Sequence, residues 1–305
     1  MRDRHRRRGG ARLPRRDPRR QPPPARGGMT GLDPALIGTL YRAACLAELD
    51  ALKPGNVHAY AAGHRMEVAD FVTSADVSAG ALAEQGAHVG ARIRGGVAAT
   101  MAAVGQNTNL GILLLCAPLA AAAERGQTVA SVLGNLDRAD SEAVFAAIRL
   151  ANPGGLGRAG RHDVSAAAPG SLLDAMAEAA DRDRIARAYV TGFADVPAIG
   201  LAALAAARAE GLDPAWCTTA IHLAYLCAVP DSHIARKHGP ASAEGVRREA
   251  EAALAGLDLA GRPVDALLAL DASLKARGLN PGTSADFTVA TLFWDALAAA
   301  GAALA

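Results

Sequence analysis

The chain has 305 residues, 51% of them hydrophobic and 4% aromatic, and a formal net charge of +2 at pH 7. Its length allows one large domain or two small ones with a sizeable core. No apolar run reaches the roughly 18 residues of a membrane span, and Pro118 interrupts the longest. The cysteines lack CxxC spacing and lie in apolar stretches, which is typical of reduced, buried thiols. We therefore expect a soluble cytoplasmic protein with no membrane contact.

Residues 1–28 form an arginine- and proline-rich arm that differs in composition from the rest of the chain. The arm carries +9, which leaves −7 for residues 29–305. It lacks the apolar stretch of a secretory signal and the aromatic residues of a single-strand nucleic-acid binder. The arm could bind nucleic acid, it could be a targeting segment, or it could be translated from upstream of a true start at Met29. We favour the last interpretation and expect no nucleic-acid partner. We predict a disordered arm over 1–28 and one catalytic domain over 29–305.

Alanine and leucine recur at helical spacing after the arm, whereas strand-like alternation of β-branched and aromatic residues is almost absent. Asp33 and Pro34 are typical of an N-cap and a first helical position. The broad apolar face of residues 110–125 predicts a central helix. These patterns predict an all-α fold, a single compact multi-helix domain, with helices at 34–52, 71–89, 96–104, 110–125, 128–133, 138–150, 171–180, 183–191, 196–210, 214–229, 243–255, 263–277 and 284–302.

Five polar clusters rich in glycine, proline and asparagine interrupt this helical pattern. Glycine lets backbone approach a ligand and exposes N–H groups to anions, while the polar side chains supply donors, acceptors and metal ligands. Any one cluster could be an ordinary helix–helix loop with a glycine C-cap. Five together favour a built site, from residues 52–58, 105–111, 152–163, 231–239 and 280–286.

The first two clusters favour a phosphate site. Lys53 either complements the dipole of the first helix or contacts a phosphate beside backbone N–H groups that Gly55 exposes. Glu48 lies shortly before Lys53 in the sequence and would bring a carboxylate to the mouth of the same pocket. Asn107 and Thr108 precede the most apolar helix, where they either cap it or bind an anion at its N-terminus.

The third and fourth clusters contain the strongest catalytic candidates. Asp163 follows a histidine and Asp231 precedes His233, so each places a carboxylate near an imidazole. Such a pair suits a metal ligand, a general base or an orienting group. His233 and Arg236 fall at helical spacing, so one helix face could present an imidazole and a cation. Asp231 is equally typical of a helix N-cap.

The last cluster is typical of a turn that leads into a helix capped by Thr283 or Ser284. Asp286 then falls in the first turn, where the helix dipole favours a negative charge. No HExxH, GxSxG, Walker loop or strand-embedded GxGxxG occurs in the chain. Their absence excludes zincins, α/β-hydrolases, P-loop enzymes and Rossmann dehydrogenases.

In their order and spacing, these clusters resemble the triphosphoribosyl-dephospho-CoA synthase family over about residues 40–295. The resemblance is carried by Glu48 with Lys53-Pro54-Gly55, Phe71 with Ser74, Asn107-Thr108 with Gly111, Asp231-Ser232-His233, and Pro281-Gly282-Thr283-Ser284-Ala285-Asp286. Asn109-Leu110 stands where the family has His-Lys. With its Lys-Pro-Gly-Asn-Val-His and Asn-Thr-Asn-Leu-Gly motifs, the chain is similar to a divergent branch of this family.

The resemblance implies an all-helical transferase in which a ribose hydroxyl of dephospho-CoA displaces adenine from the anomeric carbon of ATP. An oxocarbenium-like transition state would be flanked by carboxylates, and Mg²⁺ would hold the triphosphate. The base would come from Glu48, Asp70 or the aspartates of the later clusters. The implied site comprises catalytic Asp231, Asp163, Glu48 and His233, metal ligands Asp163, Asp231 and Asp286, and ATP-binding Lys53, Gly55, Asn107, Thr108, Arg236, Gly282 and Ser284.

Three alternatives stay open at this point. The departures from the family pattern allow a different acceptor, because loss of a phosphate-binding lysine is not conservative. A Mg²⁺-dependent hydrolase of an N-glycosidic bond in a nucleotide-type substrate would use a similar site with water as the nucleophile. A non-catalytic helical binding protein would need no more than caps at the five clusters. The oligomeric state also stays open, a homo-oligomer included.

Overall fold

The computed structural model describes residues 31–59, 67–154 and 170–305. Within these ranges the regular structure is helical and forms one domain, which confirms the predicted all-α fold. The arm over 1–28, Met29 and Asp163 lie outside the described residues. The α-helices are α1 (Pro34–Asp50), α2 (Val68–Leu82), α3 (Val89–Val104), α4 (Leu110–Arg125), α5 (Val129–Gly134), α6 (Arg138–Ala151), α7 (Leu172–Ala179), α8 (Arg184–Thr191), α9 (Ala202–Ala209), α10 (Pro214–Ala228), α11 (Ser232–His238), α12 (Pro240–Leu254), α13 (Val264–Ala276) and α14 (Gly282–Ala299). A π-helical segment, Val196–Leu201, precedes α9, and a short 3-10 turn, Leu259–Gly261, precedes α13.

Local signals in the sequence account for several helix ends. Asp33 Oδ1 accepts hydrogen bonds from the backbone N–H groups of Ala35 (2.8 Å) and Leu36 (3.3 Å), so it caps α1 as predicted. Gly105 and Gly126 adopt positive φ angles, 75° and 59°, and end α3 and α4 in the left-handed conformation that glycine favours. The central helix α4 has the bounds that its apolar face predicts.

Several helix predictions differ from the structure. The helix expected over 96–104 begins at Val89, and the one expected over 196–210 divides into the π-helical segment and α9. The expected helix over 71–89 ends at Leu82, because Gly86 takes a φ of +71° and the chain turns before α3. Helix α11 was not among the predicted helices, since it is short and lies inside a polar cluster. It begins directly after Asp231, whose side chain caps it.

The hydrophobic core surrounds two helices. Helix α4 is buried along almost its whole length, and α14 places Phe287 and Phe293 in the same core. Helices α1, α3 and α14 pack against α4, and α1 and α10 pack against α14. Tyr41 of α1 meets Phe293 edge to face, with ring centroids 5.9 Å apart. Helices α1, α4, α8, α11 and α14 are among those that bound the cavity described below.

Helix α4 contains a proline whose missing hydrogen bond is replaced from another helix. Pro118 has no N–H, so the Leu114 carbonyl four residues earlier has no helical donor. The hydroxyl of Tyr189, on α8, donates to that carbonyl at 2.7 Å. Both groups are buried in the core. The hydrogen bond therefore fixes α8 against the central helix.

The cysteines are free thiols. Cys45, Cys116 and Cys217 are buried as predicted, whereas Cys227 is partly exposed.

Among the described residues, no single helix is both long and apolar enough to cross a membrane. The pair Arg184–Thr191 and Val196–Ala209 together has the length and composition of a membrane span, but the two parts are bent by 101° relative to each other.

Candidate active site

The five polar clusters meet at one cavity of about 1240 Å³. Ligand pockets usually measure roughly 300–1,000 Å³, so this cavity has room for a ligand of nucleotide size or larger. Phe71, Phe145, Ile148 and Met176 give it an apolar side. The clusters contribute Asn56, Gln106, Asn107, Thr108, Gly111, Asn152, Pro153, Gly154, Ser232, His233, Ala235, Arg236, Lys237, Asn280, Gly282, Thr283, Ala285 and Asp286.

Glu48 reaches the cavity from the last turn of α1, although only 4% of its surface is exposed. Its Oε1 accepts a hydrogen bond from Nζ of the fully buried Lys53. Lys53 Nζ also donates to Asn56 Oδ1 at 3.3 Å and to the Val57 carbonyl at 2.7 Å. Burial raises the pKa of Glu48 and lowers that of Lys53, while their mutual attraction opposes both shifts. Glu48 is therefore a desolvated carboxylate with one buried countercharge.

Asp286 enters the cavity from α14, one residue beyond the first turn. The helix begins at Gly282, with Pro281 at its N-cap position and no side-chain cap, so the predicted cap by Thr283 or Ser284 and the first-turn position of Asp286 are wrong. Its carboxylate lies against the backbone of Gly111, where a Cβ would overlap with Oδ2. Within the described part of the chain it has no hydrogen bond or ion pair. Burial and the charges of Asp231 and Glu48 raise the pKa of Asp286 well above its ordinary value, against the opposing charge of Arg236. A carboxylate in these surroundings ionises most readily beside a bound cation.

Asp231 joins two helices and does not line the cavity. Its Oδ1 accepts from the backbone N–H groups of His233 (2.9 Å) and Ile234 (3.1 Å), which makes it the N-cap of α11. Its Oδ2 accepts from the N–H (2.8 Å) and the hydroxyl (2.9 Å) of Ser284. Burial raises the pKa of Asp231, and these hydrogen bonds lower it. The geometry therefore suits a structural cap that fixes α11 to the start of α14.

His233 and Arg236 share one face of α11, as their spacing indicates. The His233 N–H donates to Thr283 Oγ1 at 3.1 Å, and the ring packs against Gly282, where a Cβ would lie 3.1 Å from Nδ1. Arg236 NH2 lies 3.4 Å from His233 Nδ1, and Arg236 NH1 forms an ion pair with Asp183 at 3.5 Å. An imidazole and a guanidinium thus face the cavity side by side.

Further cations line the cavity from α8 and α11. Lys237 has no ion-pair partner among the described residues, and burial, with the charge of Arg236, lowers its pKa. Arg184 forms two hydrogen bonds with Asp195, at 2.5 and 2.8 Å, and Arg187 is exposed. The sequence analysis does not predict cations from α8 at the cavity, although the basic run over 182–187 indicates a positively charged segment there.

The loop before α4 places small polar groups at the cavity. Thr108 Oγ1 lies 2.5 Å from Ser74 Oγ of α2, and Asn107 Oδ1 accepts from the Leu110 N–H at 3.1 Å. Asn109, at the position of the family's histidine, is buried and donates to Thr100 Oγ1 at 2.9 Å. It therefore holds α3 against the start of α4 and does not face the cavity.

The structure divides the predicted site residues into three groups. One group lines the cavity: Glu48, His233, Asn107, Thr108, Arg236, Gly282 and Asp286. A second lies behind its wall and does not line it: Lys53, Gly55, Asp231 and Ser284. Asp163, predicted as both catalytic and metal-binding, lies outside the described residues. For the second group, buried partners occupy the polar atoms, as the contacts of Lys53 and Asp231 show.

Of the three predicted metal ligands, Asp286 lines the cavity, Asp231 lies behind its wall, and Asp163 is outside the described residues. Both carboxylate oxygens of Asp231 already accept hydrogen bonds. Mg²⁺ is usually bound by one or two carboxylates plus substrate phosphates, and Asp286 fits that pattern because its carboxylate lies at the cavity. Among described residues, the compact group of possible ligands lies away from the cavity, at His88, Asp137 and Asp140.

The described residues form an all-helical domain with a cavity lined by both cations and carboxylates. The chain belongs to the CitG family, ATP:dephospho-CoA triphosphoribosyl transferase, whose family model matches residues 34–303. It is thus a transferase of a family that uses ATP and dephospho-CoA. This confirms the family that the sequence motifs indicate.

A solved structure with the same fold comes from Archaeoglobus fulgidus, a protein described as a candidate triphosphoribosyl-dephospho-CoA synthase. Its TM-score is 0.57 at 23% identity, with 74% of this chain and 97% of that chain covered. At this identity the likeness concerns the fold alone. No curated protein matches the chain.

Proposed function

We propose that this protein transfers the triphosphoribosyl group of ATP to a ribose hydroxyl of dephospho-CoA, or of a closely related acceptor, and releases adenine. The observation that carries the proposal is the lining of the cavity, where the carboxylates Glu48 and Asp286 and the cations Arg236 and Lys237 face the same space. Anionic phosphates need the cations, and a positively charged anomeric carbon needs the carboxylates. Membership in the CitG family supports the same reaction.

The reaction is a displacement at the anomeric carbon of ATP. The bond from that carbon to adenine breaks, a bond to the acceptor oxygen forms, and the triphosphate stays on the transferred ribose. Glu48 takes the proton of the attacking hydroxyl, because burial raises the pKa of its carboxylate and so makes it a stronger base than an exposed one. His233 supplies the proton that adenine takes as it leaves, since its ring borders the cavity beside Arg236.

The triphosphate is held by cations from two helices. Arg236 and Lys237 of α11 and Arg187 of α8 line the cavity, and the small side chains of Asn107 and Thr108 lie on its wall. Asp286 would hold Mg²⁺ together with phosphate oxygens. When bound, the ion would neutralise charge on the triphosphate and orient it.

The metal assignment has its own test. ATP should raise the melting temperature in the presence of Mg²⁺ and lose most of that effect in EDTA, because bound ligand stabilises the folded state in proportion to its affinity. Asp286→Asn should lose the Mg²⁺-dependent part and keep the rest. An equal shift by ATP in EDTA would rule the ion out.

The proposed reaction is tested by incubating the protein with ATP, Mg²⁺ and dephospho-CoA and analysing the products by mass spectrometry. Free adenine together with a triphosphoribosylated dephospho-CoA supports transfer. Adenine with free ribose triphosphate, formed equally well without acceptor, would indicate an N-glycosidic hydrolase. Absence of adenine under all conditions would leave a binding protein. Dephospho-CoA, CoA and AMP compared as acceptors would identify the part of the acceptor that is recognised.

A further inference from the structure

We infer that Lys53 is a positioning residue that holds Glu48 for the reaction and is not a contact for the substrate phosphates. The inference rests on the proposed function, because that function makes Glu48 the base. Lys53 is completely buried, and its Nζ donates to Glu48 Oε1, Asn56 Oδ1 and the Val57 carbonyl. An ammonium group has three donors, so these acceptors leave none for a phosphate.

The turn that carries Lys53 is hydrogen-bonded to α13 and to the segment before α14. The Gly55 N–H donates to Asp271 Oδ1 of α13 at 2.8 Å, and Asn56 Nδ2 donates to Asn280 Oδ1 at 2.8 Å. Gly55 has a φ of +84°, and a Cβ there would lie 2.8 Å from Cδ of Pro281, so the turn packs tightly against the segment before α14. The position of Nζ is therefore set by the fold and does not wait for substrate.

Lys53 is also the charge that balances Glu48. Its buried ammonium is in direct contact with Glu48 Oε1, and Asp286 and Glu48 carry charge of the same sign near the cavity. Without Lys53, Glu48 would be a buried carboxylate with no countercharge, and such a group takes up a proton instead of staying ionised. A protonated Glu48 cannot accept the proton of the attacking hydroxyl. Loss of Lys53 should thus have the same catalytic effect as loss of Glu48.

The test is a double-mutant cycle with Lys53→Met, Glu48→Gln and the double variant. Each single variant should lower kcat by about 100-fold, and the double variant should lower it no further, because both act through one carboxylate. KM for ATP should stay within about threefold of the wild-type value, because these substitutions do not change the residues that contact the phosphates of ATP. The Kd for ATP with Mg²⁺, measured by calorimetry without acceptor, should also be unchanged.

If Lys53 instead contacts the substrate phosphates directly, the expected effects on KM and Kd are the opposite. Lys53→Met would then raise KM and Kd for ATP tenfold or more, and the effects of the two substitutions on kcat/KM would multiply. Either result overturns the inference. If Lys53→Met alone does not fold, the comparison of the double variant with Glu48→Gln gives the same decision, because both lack Glu48 and differ only in Lys53.

Two further measurements make the result specific. Lys275→Met removes another cation of this region, one that pairs with Asp271 at 3.0 Å, and it should leave kcat unchanged. Urea unfolding needs no activity: at neutral pH the double variant should be more stable than Lys53→Met, because a glutamine, unlike a glutamate, needs no proton uptake to be buried without charge. If wild-type protein forms no triphosphoribosyl product, the proposed function fails, and the unfolding cycle alone still decides whether Lys53 holds Glu48.

Discussion

Replacement of His222 should change how the stability of the protein depends on pH. His222 lies on α10 with no exposed surface, and both ring nitrogens are buried, with the backbone of Pro54 as a polar neighbour that opposes the pKa shift below. Burial, and then the charge of the neighbouring Lys53, lower its pKa from 6.5 to about 3, with His58 acting in the same direction and Asp271 against it. The ring therefore stays neutral in the folded protein down to acidic pH.

The size of the effect follows from proton linkage. Between pH 6.5 and pH 3 the unfolded chain binds a proton at His222 that the folded protein does not, so the free energy of unfolding falls as pH falls. One pH unit is worth about 1.4 kcal/mol, which gives about 2 kcal/mol between pH 7.5 and pH 5. His222→Leu removes this term, because leucine does not titrate.

The assay is urea unfolding of wild type and His222→Leu at a series of pH values. The difference between their free energies of unfolding should move by about 2 kcal/mol in favour of the variant as the pH drops to 5. His238→Leu, at an exposed position of α11, is the matched control for removal of one histidine. A difference that stays constant with pH would refute the reasoning, because it would mean that the folded protein protonates His222 as readily as the unfolded chain.

Three other predictions concern the site and the arm. Asp231→Asn should lower the free energy of unfolding by about 2 kcal/mol in urea, because an amide has one acceptor oxygen, so either the N–H groups of α11 or the two donors of Ser284 lose their acceptor; an unchanged midpoint would contradict this. Gly111→Ala should lower kcat at least about tenfold with a native circular dichroism spectrum, since the new methyl group would displace the Asp286 carboxylate; normal kcat would show that this position is not critical. Removal of residues 1–28 should leave the melting temperature and ATP binding unchanged, on the basis of composition, and a loss of several degrees would show that the arm belongs to the fold.

The sequence predicts most of the helices because their signals are local. Asp33 caps α1, and the apolar face of 110–125 defines α4, without help from distant residues. The polar clusters are likewise visible in the sequence, and the structure brings them to one cavity. The direction of a side chain at a helix end is not local, so the sequence could not show that Lys53 turns inward to Glu48. That choice depends on α13 and on the segment before α14, more than 200 residues away in the chain.

Asp231 illustrates a second limit of the sequence. An aspartate at the start of a short helix is typical both of a cap and of a catalytic carboxylate, and the pattern alone does not separate them. Ser284, on another helix, donates to the second oxygen of Asp231 and so favours the cap, and the sequence does not show this contact. Asp286, by contrast, keeps its carboxylate at the cavity because Gly111 leaves space for it, a relation between residues far apart in sequence.

The hydrogen bond from Tyr189 to the Leu114 carbonyl constrains the order in which two positions can change during evolution. Replacing Tyr189 by phenylalanine while Pro118 is present leaves a buried carbonyl without a donor, which costs about 1–3 kcal/mol. If Pro118 first becomes alanine, the helix supplies its own N–H and the tyrosine hydroxyl becomes dispensable. The proline change is thus a permissive step for the other. Until it occurs, loss of the Tyr189 hydroxyl destabilises the protein. The hydrogen bond that holds α8, and with it Arg184 at the cavity, against the core is therefore retained.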